Sequence, residues 1–340
     1  MRITWYYLLI DMDLINFPKV ELHIHLDCSL SYDVVKKLDS TITHKNYLEK
    51  FRGISCKCLK DYIKCADRAV KLMQNKNQLE LVVEDLFCQL KKDNVIYVEI
   101  RFAPLLHINK ELSSYEVVKI VSERVKKESQ KQNIYANLIL CTLRHFSKKE
   151  SLETVQLVKE FAGTNVVGFD IAADEAGFPL DNHIDSFNYA RKNNIFTTAH
   201  AGEAKGAESV KETIEKLKPD RIGHGVRSIE DVDLLKKIKN LNIHLELCPT
   251  SNIVTKVYKS FKKHPIDEFY KNNLSISVNS DGRTISNTNL NYEYLLLHKN
   301  FNWQKKHFLK CNLNAIDASF ASNKIKKELI LLMSDENISS

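Results

Sequence analysis

Val20-Glu21-Leu22-His23-Ile24-His25 alternates apolar and polar residues and ends on two histidines two positions apart. Side chains at i and i+2 of a strand point to the same side, so the two imidazoles face one way. Three later segments also follow strand-like runs and carry metal-type or acid–base side chains: His200-Ala201-Gly202-Glu203, Gly223-His224-Gly225 and Asn279-Ser280-Asp281. A parallel barrel builds its active site in this manner, with each strand contributing one or two groups at its C-terminal end.

Working outward, eight strand candidates recur, at residues 20–26, 95–102, 136–143, 166–171, 195–199, 221–224, 243–247 and 274–278. Most are rich in β-branched or aromatic residues. Helical spacing fills the gaps, as in Leu79-Val82-Val83-Leu86-Leu90 and Val117-Ile120-Val121-Val125. Strand–helix alternation implies parallel pairing with crossover helices, and eight such units predict an α/β chain folded as a (β/α)8 TIM barrel. The chain has 9 Gly, 6 Pro and no linker-like stretch, so residues 1–340 read as a single domain. The segment 27–94 is long for one connection and has helical stretches around 32–38 and 59–73. It is either a helical insertion packed on the barrel wall or a lid over the site's mouth.

The net charge of +7 is dispersed in pairs such as Lys36-Lys37, Lys91-Lys92 and Lys326-Lys327 on helix-like stretches. This reads as a solvated face, and no basic stripe interleaved with aromatics marks a nucleic-acid surface. The eight cysteines, several inside apolar runs such as Ile139-Leu140-Cys141, fit reduced thiols of a cytoplasmic protein better than a disulfide framework. Trp5-Tyr6-Tyr7-Leu8-Leu9-Ile10 is apolar for six residues before Asp11 and Asp13 interrupt it. That is short for a signal-peptide core and far too short for a membrane span. Residues 1–11 are expected to be a dispensable extension before Met12.

Taken singly, each motif has a plain structural alternative. An H-x-H pair arises by chance, Glu203 suits the first turn of a helix, a lone His224 suits packing, and an Asp after a strand suits a turn or cap. Taken together, His23, His25, His200 and Asp281 at strand ends 1, 5 and 8 form a mononuclear zinc site with an open solvent position. Glu203 then lies above the metal, where a partly desolvated carboxyl serves as a general acid. A two-metal hydrolase would want a bridging Lys or acid on the fourth strand, and 166–172 offers only Asp170.

The chain resembles the adenosine deaminase family. The resemblance is carried by Pro18-Lys19-Val20-Glu21-Leu22-His23-Ile24-His25-Leu26-Asp27, Val98-Glu99-Ile100-Arg101-Phe102-Ala103-Pro104, Asp174-Glu175, His200-Ala201-Gly202-Glu203, Arg221-Ile222-Gly223-His224-Gly225 and Cys248-Pro249-Thr250-Ser251-Asn252. It implies an enzyme of purine salvage, a hydrolase acting on cyclic amidines, that removes the 6-amino group of adenosine or 2′-deoxyadenosine with one Zn2+ per chain. By that resemblance His23, His25, His200 and Asp281 are the zinc ligands. Glu203 protonates ring N1, His224 orients and helps deprotonate the metal-bound water, and Asp27 meets the ribose hydroxyls. The partner is then a small-molecule purine nucleoside, with no nucleic acid and no membrane. Alternatives are a deaminase of a modified 6-aminopurine nucleoside, such as a 5′-substituted one, and a non-catalytic nucleoside-binding protein. Three positions depart from the family's pattern. Cys28 stands where Gly is frequent. Ala173 replaces a Gly whose backbone N–H meets purine N3, and Gly282 replaces a second Asp that binds N7. With no carboxylate at 282, N7 is expected to lack a side-chain partner from that position.

Overall fold

The computed structural model describes residues 12–108 and 112–334. A short helix α1 (Met12–Asn16) leads into strand β1 (Lys19–His25), so residues 1–11 lie outside the described part. After β1 come α2 (Tyr32–Leu38), α3 (His44–Lys50), α4 (Leu59–Val70) and α5 (Lys76–Lys92). The remaining strands are β2 (Val95–Phe102), β3 (Tyr135–Leu143), β4 (Val166–Ala172), β5 (Phe196–Ala201), β6 (Arg221–His224), β7 (His244–Leu247) and β8 (Ile276–Val278). Between them run α6 (Ser114–Gln132), α7 (Lys148–Glu160), α8 (Ile184–Lys192), α9 (Ala207–Lys216), α10 (Val232–Asn240), α11 (Pro249–Val254) and α12 (Ile266–Lys271). Four helices, α13 (Arg283–Ser286), α14 (Leu290–Phe301), α15 (Lys305–Ala318) and α16 (Asn323–Leu332), follow β8.

The strands pair in parallel in the order β1 to β8. The sheet closes through Asp281, whose N–H donates to His23 O at 3.0 Å and whose carbonyl accepts from His25 N at 3.0 Å. Asn279 Oδ1 completes the seam by accepting from Leu22 N and His23 N at 2.9 and 3.1 Å. The barrel is therefore shut by the residues that end its first and eighth strands. The loops that start helices are equally explicit: Ser113 with Glu116 and Ser147 with Glu150 form capping boxes for α6 and α7, satisfying N–H groups that a helix start leaves open.

Alternation along β2 sorts its residues. Val98, Ile100 and Phe102 join the apolar layer between barrel and helices, while Glu99 and Arg101 point the other way into a buried ionic network. Arg101 bonds Asp170 Oδ2 at 2.9 Å and Glu246 Oε2 at 2.7 Å. Arg221 bonds Glu246 Oε1 at 2.7 Å and Glu99 Oε2 at 2.5 Å, and its guanidinium lies 3.6 Å from the centre of the Phe320 ring. The barrel's lower interior is thus filled by charge rather than by the branched apolar layers common in this architecture. Breaking a buried pair from one side strands the other charge and costs about 3–5 kcal/mol. Arg221→Met, which takes the guanidinium from Glu99 Oε2 and Glu246 Oε1, is expected to lower unfolding free energy by that amount in urea titration. A loss below about 1 kcal/mol would show that the network is not a stability element.

Candidate active site

At the C-terminal mouth of the barrel, His23, His25 and His200 bring ring nitrogens within 4.8 Å of one another, and Glu203, His224 and Asp281 form an adjoining group on the same criterion. The His25 and His200 Nε2 atoms face each other at 3.2 Å. Asp281 Oδ1 lies 3.6 Å from His23 Nε2 and 3.5 Å from His25 Nε2. His23 Nε2 is buried and has no hydrogen-bond partner among the described residues. Converging imidazole lone pairs beside a carboxylate repel or desolvate one another unless a cation sits among them. This donor set, three nitrogens and one oxygen, suits a zinc-type ion with an open position.

Two of the three histidines are tied to a carboxylate on their far side. His23 Nδ1 donates to Glu246 Oε2 at 2.8 Å, and His200 Nδ1 to Asp170 Oδ1 at 3.2 Å. A carboxylate accepts only, so each Nδ1 keeps the proton and each Nε2 lone pair turns to the site. Glycine at 223 eases this crowding: a Cβ there would stand 3.1 Å from His23 Cε1 and 3.3 Å from the His200 ring.

His224 is fixed by a relay. Ile266 N donates to His264 Nδ1 at 3.2 Å, His264 Nε2 to Asn252 Oδ1 at 3.1 Å, and Asn252 Nδ2 to His224 Nδ1 at 3.3 Å. Each step follows from the backbone amide, which can only donate. The neutral His224 therefore carries its proton on Nε2, 3.5 Å from Glu203 Oε2. Burial first, and then the neighbouring His23, hold His224 well below the usual histidine range. The arrangement suits an orienting hydrogen-bond donor better than a base.

Glu203 is buried, with Oε1 unpartnered among the described residues. Burial first, then the Asp281 and Glu175 carboxylates, push its carboxyl well above the usual carboxylate range. Glu175 also fixes the loop that carries it. Its carboxylate accepts from the backbone N–H groups of Gly202, Glu203, Ala204 and Lys205 at 2.7, 3.0, 2.6 and 3.0 Å, and from Ser209 Oγ at 2.6 Å. Asp27 is buried below the same cavity, accepts weakly from Ala103 N at 3.4 Å, and has its carboxyl raised to about 6 by burial. Ala173 lines the cavity with φ at +76°. That conformation costs a residue with a Cβ roughly 1–2 kcal/mol. Gly282 follows Asp281 and touches Tyr62 of α4.

The structure thus gathers His23, His25, His200, Glu203, His224 and Asp281 at one place, with Asp27 and Ala173 on the same cavity wall. Sequence reading missed Glu246, Glu175, Asn252, His264 and Tyr62. The pairing of Asp174 with Glu175 was the available signal for one of them. Asn252 ends the Cys248-Pro249-Thr250-Ser251-Asn252 motif, a second such signal, while Glu246, His264 and Tyr62 are ordinary residues until the fold supplies their partners.

The adenosine deaminase family model matches residues 18–335. An adenosine deaminase of Clostridium perfringens is 36% identical over 329 residues, covering 94% of this chain and 99% of that protein. Among solved structures, adenine deaminase from Arthrobacter aurescens superposes with a TM-score of 0.88 at 21% identity, covering 95% of this chain and 99% of that one. Arabidopsis ADAL complexed with IMP does so with a TM-score of 0.86 at 24% identity, covering 96% and 98%. At these identities the structural likeness is one of fold. The chain belongs to the adenosine deaminase family.

Glu175→Gln places an amide N–H against backbone N–H donors. Hydrogen bonds to a charged group are worth about 1.5–3 kcal/mol each, so a stability loss of about 3 kcal/mol is expected. The turnover number should fall at least about tenfold while bound metal, read by elemental analysis, stays at the wild-type level. Unchanged turnover would show that the Glu203 loop holds its shape without this carboxylate.

Proposed function

We propose that this family member hydrolyses adenosine and 2′-deoxyadenosine to inosine and 2′-deoxyinosine with release of ammonia, using one zinc ion per chain. The observation that carries the reading is the facing pair of His25 and His200 Nε2 atoms at 3.2 Å beside Asp281 and the buried Glu203. His23, His25, His200 and Asp281 would hold the ion. Zinc so bound supplies a water whose pKa falls toward about 7.

The chain's own residues supply the rest. Glu203, kept protonated by burial, hands its proton to purine N1 and makes C6 electrophilic. His224, neutral with its proton on Nε2, donates to the oxygen adding at C6 and aims it. The C6–N bond breaks as the C6–O bond becomes a carbonyl. Of the two water protons, one returns to Glu203 and the other leaves with the amino group as ammonia. The N1 proton stays on the inosine product. Asp27 accepts from the ribose hydroxyls, and the Ala173 backbone faces N3.

The substrate class follows from the walls. The cavity is partly open to solvent, and its described lining includes no Lys or Arg. Leu59, Ile63, Ala66, Val70 and Leu106 supply apolar surface beside Asp27. A 5′-phosphate would lose its hydration there without a cation in return, whereas an apolar 5′ substituent would be accommodated. The reading is therefore a nucleoside deaminase, with 5′-substituted adenosines as the second substrate class. We read residues 1–340 as one domain in which 27–94 forms an insertion over the mouth. The eight unpaired cysteines fit a cytoplasmic enzyme, and among the described residues no helix is long and apolar enough to cross a membrane.

The decisive assay measures inosine and ammonia from adenosine, 2′-deoxyadenosine and AMP with one equivalent of zinc. Both nucleosides should turn over, with AMP at least about a hundredfold poorer in kcat/KM. Glu203→Gln should lose at least about 10²-fold in kcat with zinc content unchanged. Absence of turnover on any adenine nucleoside would overturn the reading.

Asp27 adds a pH signature. A carboxyl raised to about 6 is ionised above that pH and protonated below it. Its bond from a ribose hydroxyl is charge-assisted only when ionised. KM for adenosine should therefore rise as pH falls from 7 to 5, and Asp27→Asn should raise KM at pH 7 and flatten that limb. A KM independent of pH in the wild type would remove Asp27 from sugar binding.

A further inference from the structure

Gly282 leaves a hole that another residue fills. A Cβ built on it would stand 2.5 Å from Tyr62 Oη and 2.8 Å from Cys28 Cβ. No side chain fits at 282 while Tyr62 keeps its place. Tyr62 belongs to α4, in the insertion after β1, and its ring is buried among Cys56, Leu59, Cys65 and Ile285. Its hydroxyl receives the Gly282 N–H at 3.2 Å and pairs with Ser286 Oγ at 2.9 Å. Tyr62 also lines the same cavity as Asp281, Glu203 and His224.

A phenol hydroxyl has one proton to give and two lone pairs to fill. Gly282 N–H fills one; at the 2.9 Å contact with Ser286 Oγ either oxygen can donate, and when Ser286 O–H donates it fills the other. The phenol proton then has Gly282 O at 3.4 Å, a long and weak contact, with Ser251 Oγ also nearby. Ser251 is itself committed to Asp281 Oδ2 at 2.6 Å. A ligand acceptor in the cavity would be a better partner than either. In a 6-aminopurine, C6 is flanked on one side by N1 and on the other by C5, which bears N7. With Glu203 on N1, the acceptor left on the opposite edge is N7.

We infer that Tyr62 is a specificity-determining residue for the base, donating its hydroxyl proton to purine N7 from the space a side chain at 282 would occupy. The inference rests on the deaminase reading above. It is compatible with the expectation that position 282 itself offers N7 no side chain: the donor comes from a helix 220 positions away. It also places base recognition on the insertion, so α4 must be seated for the purine edge to be read.

The test compares kcat/KM for adenosine and 7-deazaadenosine in wild type and Tyr62→Phe, each checked for zinc content and melting temperature. The wild type should prefer adenosine by about tenfold or more, the scale of one well-formed hydrogen bond. Tyr62→Phe should lose that preference, with kcat/KM for adenosine falling about tenfold further than kcat/KM for 7-deazaadenosine. A wild type that treats both substrates alike overturns the inference even if Tyr62→Phe fails to fold. So does a Tyr62→Phe enzyme that keeps the wild-type ratio. A wild type inactive on every adenine nucleoside overturns the deaminase reading itself, a result distinct from an active enzyme indifferent to N7.

Discussion

Arg101 holds Asp170 with one guanidinium nitrogen and Glu246 with another, and each of those carboxylates holds a histidine of the candidate metal site. The site stands on this bridge. Placing carboxylates and guanidinium groups in a barrel interior is costly in desolvation, and the cost is offset only when every charge is paired with good geometry. Here Glu246 receives Arg101, Arg221 and His23 at once, with Thr198 Oγ1 at 3.1 Å as a fourth donor. The result is that His23 and His200 have committed Nδ1 atoms and Nε2 atoms held toward the site. Such preorganisation lets a site present charge without reorganising during reaction.

Backbone conformation adds the second constraint. His224 and Asp281 sit at φ of +58° and +60°, in the left-handed region that residues with a Cβ avoid. Strain of this kind persists where surrounding contacts over-determine it and concentrates at functional sites. The contacts are visible: His224 is pinned by Asn252, and Asp281 exchanges two backbone hydrogen bonds with β1 while accepting from Ser251. Turning the chain at these two points swings the side chains inward at the ends of strands that would otherwise aim them along the barrel wall. Barrel closure and site assembly are therefore the same event, because the β1–β8 seam is made by Asp281 and Asn279 beside His23 and His25.

The strand ends were legible because alternation and spacing are local properties. Candidate segments 95–102 and 221–224 coincide with β2 and β6, and the other strands differ by one or two residues at their ends. The six histidine and acid groups at the mouth were legible for the same reason. Glu246 was not: nothing local in His244-Leu245-Glu246-Leu247 marks a partner for it, and only closure brings Arg101 to it across 145 positions. Glu175 was half legible from its neighbour, but its five-donor cradle exists only once the β5–α9 loop folds over it. Tyr62 was invisible, because its role depends on an absence at position 282.

That absence has a consequence for how the family's recognition chemistry can change. A carboxylate at 282 would follow directly on Asp281 and press on Tyr62 Oη and Cys28, adding a charge next to a buried acid. The phenol supplies a neutral hydroxyl instead, and Arg283 next along the chain bonds Glu21 Oε2 at 2.7 Å and Asp93 Oδ2 at 2.8 Å. Exchanging acid for phenol moves the contact from the rigid barrel rim to α4. A reader on the rim is in place before substrate arrives, whereas a reader on an insertion helix is in place only when that helix is docked. Tyr62 is docked through Ser286 and Gly282, so the helix that covers the cavity and the strand end that carries Asp281 report on one another through a single hydroxyl.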